Sequence, residues 1–148
     1  MSYALFVPGG RETLSAAHIL KTLTFERWQK KTDIADDALR QAVKEMQQGL
    51  IDANLGGGLV KKRVARPGAG KRAGYRTLLA TNQHDKWFFV YGFAKNERDN
   101  IAKQDLLALK LLAKHLLASS VEAIRTALQH GELKEIPDGA ITDPPRST

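Results

Sequence analysis

The sequence predicts an α+β fold: a compact single domain in which an N-terminal helical part packs on an antiparallel sheet of about four strands, followed by C-terminal helices. Three observations carry this prediction. A stretch of helix formers over 35–48 is followed by three runs with strand character between residues 59 and 94, and then by a leucine-rich stretch at helical spacing over 103–118. At 148 residues, with 43% hydrophobic and 26% charged residues, the chain has the size and composition of one domain. A chain of that size buries about 68–70% of its unfolded surface. With no cysteine, disulfides and thiolate metal sites are excluded.

Polar and apolar residues alternate over 21–25, which predicts a short strand, and 26–31 with Trp28 predicts the first helical turns. Asp33 precedes a helix over 35–48, whose apolar positions Ala35, Ala38, Leu39, Ala42, Val43 and Met46 recur at spacings of three and four, with Gly49 as its stop. Gly56, Gly57 and Gly58 break the pattern before a strand over 59–66, where Val60 and Val64 face one way and Lys61 and Arg63 the other. Residues 67–74 read as loop, 75–80 as strand and 82–85 as turn. The densest strand signal is 86–94, in which period two gives Trp87, Phe89 and Phe93 a common core face. Three strands joined in this way form an antiparallel meander.

In the 103–118 helix, Leu106, Leu109, Leu112, Ala113 and Leu116 form the side that covers the sheet, while Lys103, Asp105, Lys110 and Lys114 take the wet side. Ser119 and Glu122 make a capping-box pattern for a further helix from about 121 to 130, ending at Gly131, and 133–136 forms a last short strand. The domain is therefore read as 21–136, with 1–20 an N-terminal extension and 137–148, rich in proline and small polar residues, a disordered tail. Residues 1–20 lack the basic-then-apolar order of an export signal, and 106–118 is too short to span a bilayer. The expectation is a cytoplasmic protein without a membrane partner.

The net charge of +7 is concentrated. Between Asp52 and Asp85 stand Lys61, Lys62, Arg63, Arg66, Lys71, Arg72 and Arg76 with no acidic residue, and the remainder is formally neutral. A cationic segment in a neutral body points to a polyanionic partner, either nucleic acid or an acidic protein. Enzyme signatures are otherwise missing. The run ARPGAGKR at 65–72 lacks the first glycine and the hydroxyl of a phosphate-binding loop, having Ala65 and Arg72 there. His18, His84, His115 and His130 lack ligand spacing, so neither metal nor cofactor is expected, and no serine-nucleophile motif exists. Lys61 and Arg63 share a strand face, Arg76 stands near them if the next strand pairs as read, and Lys95 and Arg98 follow the third strand. Such a cluster can stabilise the transition state of RNA cleavage without metal, grip phosphate without chemistry, or receive an acidic protein.

The run LGGGLVKKRVARPGAGKRAGYRTLL (55–79), then WFFVYGFAKNERDNI (87–101), then the helix ending AKHLLA (113–118), resembles the RelE/ParE superfamily of bacterial type II toxins, and within it the RelE-like cytotoxic translational repressors. The resemblance covers about 21–136. It implies a toxin paired with an acidic antitoxin, and inhibition of translation by ribosome-dependent mRNA cleavage. Residue by residue it assigns Lys61, Arg63, Arg76 and Lys95 as catalytic, with Lys62 as a register alternative; the further cations Lys62, Arg66, Lys71, Arg72 and Arg98 are expected to bind RNA. Two positions depart from the pattern: Asn96 stands where an arginine is expected, and Ala102 where a tyrosine is. These departures favour the alternative, a non-catalytic toxin of the gyrase-poisoning branch or a simple binding module.

Overall fold

The computed structural model describes residues 17–66, 70–95 and 101–137. The extension at 1–16, the end of the tail at 138–148, and Asn96 and Arg98 lie outside the described residues. The chain runs β1 (His18–Thr22), α1 (Leu23–Gln29), α2 (Asp36–Gln47), β2 (Ala53–Gly56), β3 (Leu59–Arg66), β4 (Gly70–Thr81), β5 (Lys86–Ala94), α3 (Lys103–Ala118), α4 (Val121–Gln129) and β6 (Leu133–Ile136). The six strands form one sheet in the order β2-β3-β4-β5-β1-β6, two more than the four expected. All neighbours are antiparallel except β1 and β5, which run parallel with Ile19 opposite Trp87.

Helices cover both faces. Against α1 and α2 the sheet presents Ile19, Val60, Val64, Tyr75, Leu79, Trp87 and Phe89, which meet Phe25, Leu39, Val43 and Met46. On the other face Leu20, Leu59, Leu78, Ala80, Phe88 and Val90 meet Ala113 and Leu116 of α3, with Ile124 and Leu128 of α4 packed alongside. Alternation along β1, β3, β4, β5 and β6 thus feeds two cores, as a sheet covered on both sides requires.

Four local readings are corrected. The run over 67–74 is not all loop: β4 begins at Gly70, paired with Arg66, five residues before the strand expected over 75–80. The strand expected over 21–25 begins three residues earlier and ends at Thr22, whose hydroxyl accepts from Phe25 N at 3.1 Å and starts α1. His18, Ile19 and Leu20 are therefore part of the sheet and not of an extension. The cap of α4 is Ser120, whose Oγ accepts from Ala123 N, while Ser119 Oγ donates to the carbonyl of His115. Phe93 lies on the opposite face from Trp87 and Phe89: the β4–β5 register slips between Leu78 and Leu79, so Leu78 pairs with Tyr91 and Arg76 with Phe93. One extra residue in β5 reverses the alternation from there on.

Short-range chemistry fixes the joints. Asn82 Oδ1 accepts from the amides of His84, Asp85 and Lys86 and closes the β4–β5 turn. A Cβ on Gly92 would lie 2.2 Å from Trp28 Cζ3, so glycine is what lets α1 rest its tryptophan on β5.

Candidate nucleic-acid interface

The basic cluster is built by β3 and β4. In their antiparallel pairing Arg63 lies directly opposite Arg76, and Lys61 opposite Leu78. Leu78 belongs to the core beneath α3, so alternation puts Lys61, Arg63 and Arg76 on the α3 face of the sheet. Cβ atoms of directly opposed residues stand about 4.5–5.5 Å apart. The two arginines therefore leave the backbone at opposed positions, with a lysine two residues along the same strand, and the Arg63 side chain reaches toward Asp52. The local cause is Gly74. A side chain there would meet the carbonyl oxygen of Val64 at 2.2 Å, and its absence lets β4 press against the irregular end of β3 and carry Arg76 into register.

Arg76 is 7% exposed, and its Nη1 is buried with no hydrogen-bond partner among the described residues. Among the described residues it has no ion-pair partner, and Asp105 stays exposed. A buried, unpaired donor costs about 1–3 kcal/mol, and a like charge opposite adds to the cost. The neighbouring aromatics are Phe93, paired across from Arg76, and Tyr91, whose ring centroid lies 6.2 Å from that of Phe93. Lys95 is exposed one residue past β5; Ala94 pairs with Tyr75, which brings Lys95 to the same end of the sheet as Arg76.

The other predicted cations go elsewhere. Lys62 projects to the α2 face, where its buried Nζ is 2.9 Å from Glu45 Oε1 and donates to the carbonyl of Leu50 at 2.8 Å. Its ammonium is committed to holding α2 and the following loop to the sheet, so it does not reach the Arg63–Arg76 face. Arg66 lies 3.7 Å from Asp33 Oδ2, with its guanidinium over the ring of Tyr75 at 5.6 Å. The Tyr75 hydroxyl donates to Asp33 Oδ1 at 2.8 Å, and that hydrogen bond, against some desolvation, holds the Asp33 carboxyl below its usual range. Burial, then the Asp33 bond, pushes the Tyr75 phenol up. Tyr75 is thus a core residue of the α1–α2 side. Nothing is described of the side chains of Lys71 and Arg72, and Arg98 lies outside the described residues.

One functional neighbour was not singled out in the sequence. Asp52, the last acid before the basic stretch, accepts from Arg63 N at 2.7 Å through Oδ2 and lies 3.7 Å from Arg63 Nε through Oδ1. It orients Arg63 while leaving that side chain 46% exposed. Its position immediately before a cationic strand was the available signal. No described helix is long and apolar enough to cross a membrane.

Comparison with curated proteins gives no match. Residues 17–136, from the residue before β1 to the end of β6, match the family model described as the RelE toxin of the RelE / RelB toxin-antitoxin system, so the chain belongs to the RelE toxin family.

Proposed function

We propose that this toxin stops translation by binding mRNA in the ribosomal A site and cleaving it without a metal, in the cytoplasm, with Lys61, Arg63 and Arg76 on the scissile phosphate and Lys95 on the flanking backbone. The observation that carries the reading is the buried Nη1 of Arg76, which has no hydrogen-bond partner among the described residues, on a sheet face whose strand positions also carry Lys61 and Arg63. Such an arrangement is unfavourable alone and becomes favourable when an anion bridges it. In the reaction the ribose 2′-oxygen loses its proton and attacks phosphorus, the bond from phosphorus to the 5′-oxygen breaks and that oxygen takes up a proton from water, and the products carry a 2′,3′-cyclic phosphate and a 5′-hydroxyl. Arginine keeps its proton throughout, so of the three groups Lys61 is the one able to accept the 2′-hydroxyl proton. Arg63 and Arg76 stabilise the extra charge on the phosphate oxygens as it develops.

In this reading an acidic antitoxin covers the same basic stretch between Lys61 and Arg76 and neutralises it, with salt weakening the encounter. Induction of the chain alone should halt growth and amino-acid incorporation, and Arg76→Ala should abolish both effects. Ala102, at the start of α3, offers no hydroxyl and favours a second reading, in which the chain binds DNA gyrase without cleaving RNA. A DNA-damage response during arrest with no new mRNA ends would establish that alternative.

A further inference from the structure

Helix α3 is apolar on more of its circumference than the sheet can cover. Leu106, Leu109, Leu112, Ala113 and Leu116 pack inward, yet Leu107 and Leu111 are 61% and 71% exposed. At 100° per residue these two leucines, one turn apart, form an outward ridge. Lys103, Lys110 and Lys114 run along one flank of that ridge, and Gln104, Ala108 and His115 along the other. Lys110 lies beside the β2–β3 turn, where a groove of about 440 Å³ is lined by Gly57, Leu107, Lys110, Leu111 and Lys114. Among the described residues none of the three lysines is in an ion pair.

We propose that this outer face of α3 is the docking surface for an acidic amphipathic helix of the antitoxin, its apolar ridge on Leu107 and Leu111 and a row of carboxylates against Lys103, Lys110 and Lys114. Charge selects the occupant. A second copy of the chain would set the same lysine row close to its own, which is repulsive, whereas an acidic helix satisfies ridge and row together. The surface is separate from Lys61, Arg63 and Arg76, so the inference rests on membership of a toxin–antitoxin family and not on the RNA reading. An antitoxin anchored here would be held by contacts that the toxic site does not share.

The test uses the full chain and the protein encoded by the gene next to its own. Leu107→Glu/Leu111→Glu should weaken that complex by roughly 30-fold or more, because two central apolar anchors are lost and two carboxylates face the acidic row. Lys110→Glu/Lys114→Glu should weaken it as well, while flattening the salt dependence of the wild type. Both variants should arrest growth as the wild type does and escape neutralisation. Because the four positions are outward-facing, circular dichroism should be unchanged. Equal binding by wild type and variants, including no binding by either, overturns the proposal. So does a wild-type dimer that the leucine variant abolishes, or wild-type binding to phosphatidylglycerol vesicles that competes with the neighbour's product. Failure of the RNA reading would instead show as a toxic Arg76→Ala chain, with the α3 results unaffected.

Discussion

Replacing Arg76 with methionine should make the folded chain more stable and the toxin inactive, and the two effects can be measured separately. Arginine at this position is 7% exposed, has an unpaired buried Nη1 and faces Arg63 across the β3–β4 ladder. Methionine keeps an unbranched stem of similar reach, so most of the packing against Phe93 survives. What disappears is an orphaned donor, worth about 1–3 kcal/mol. Against this stands a shape change that costs up to about 1.5 kcal/mol. The balance is a gain of about 1 kcal/mol, which, for a urea slope of about 2 kcal/mol/M, raises the unfolding midpoint by about 0.5 M. Toxicity should fall by about a hundred to a thousand fold, the loss typical of one transition-state donor. Urea titration by circular dichroism and growth after induction read the two quantities. A methionine variant with a lowered midpoint and unchanged slope would show that Arg76 is a structural residue with partners, and would refute the reasoning.

Glu45→Ala should cost about 3–5 kcal/mol, since it strands the buried Lys62 ammonium, and Lys62→Met should also lower the urea midpoint, since it takes that ammonium from the Glu45 carboxylate and the Leu50 carbonyl, while leaving toxicity per folded molecule unchanged. Loss of toxicity in a folded Lys62→Met chain would return Lys62 to the site. Gly92→Ala should destabilise by about 1–3 kcal/mol and shift Trp28 fluorescence, because the new methyl enters the space of that ring; an unshifted spectrum with full stability would contradict the packing described. Asp36 is pushed up by partial burial, but hydrogen bonds from Gln29 and Lys21 hold it below its ordinary value of 3.8 overall. A depressed carboxylate adds stability that is present above 3.8 and lost as pH falls through the folded value. Asp36→Asn should therefore be modestly less stable at neutral pH, with the gap closing below about pH 4; a gap that widens in acid would be the wrong sign.

What the sequence made legible follows from how local each signal was. Strand β5 and helix α3 have the predicted bounds because the aromatic density of one and the leucine spacing of the other repeat over several turns of structure. Strand β2, four residues ending in glycine, has too few alternations to register, and it forms only by pairing with β3. Phe93 was assigned to the wrong face because a single extra residue in β5 is invisible to a period-two count. The α1 boundary moved because Leu23 to Phe25 alternate in polarity yet lie behind a threonine cap.

For the candidate site, alternation alone separated Lys61 and Arg63 from Val60 and Val64, and it equally put Lys62 with the valines. Its partner Glu45 sits on another element, and only the tertiary structure brings the two together. The same is true of Asp33 with Arg66 and of Asp52 with Arg63. Opposition of Arg63 and Arg76 needed the hairpin register, which Gly74 and the irregular end of β3 set.

The central claim is that the face carrying Lys61, Arg63 and Arg76 cuts mRNA on the ribosome. Purified chain added to ribosomes programmed with a defined mRNA and an empty A site tests it most directly, with 5′ ends mapped by primer extension and metal removed from the toxin beforehand. The account predicts new ends within the A-site codon with wild type, none on the same mRNA free of ribosomes, and none with Arg76→Ala. Absence of wild-type cleavage under conditions where the chain arrests growth, or undiminished cleavage by Arg76→Ala, would contradict it.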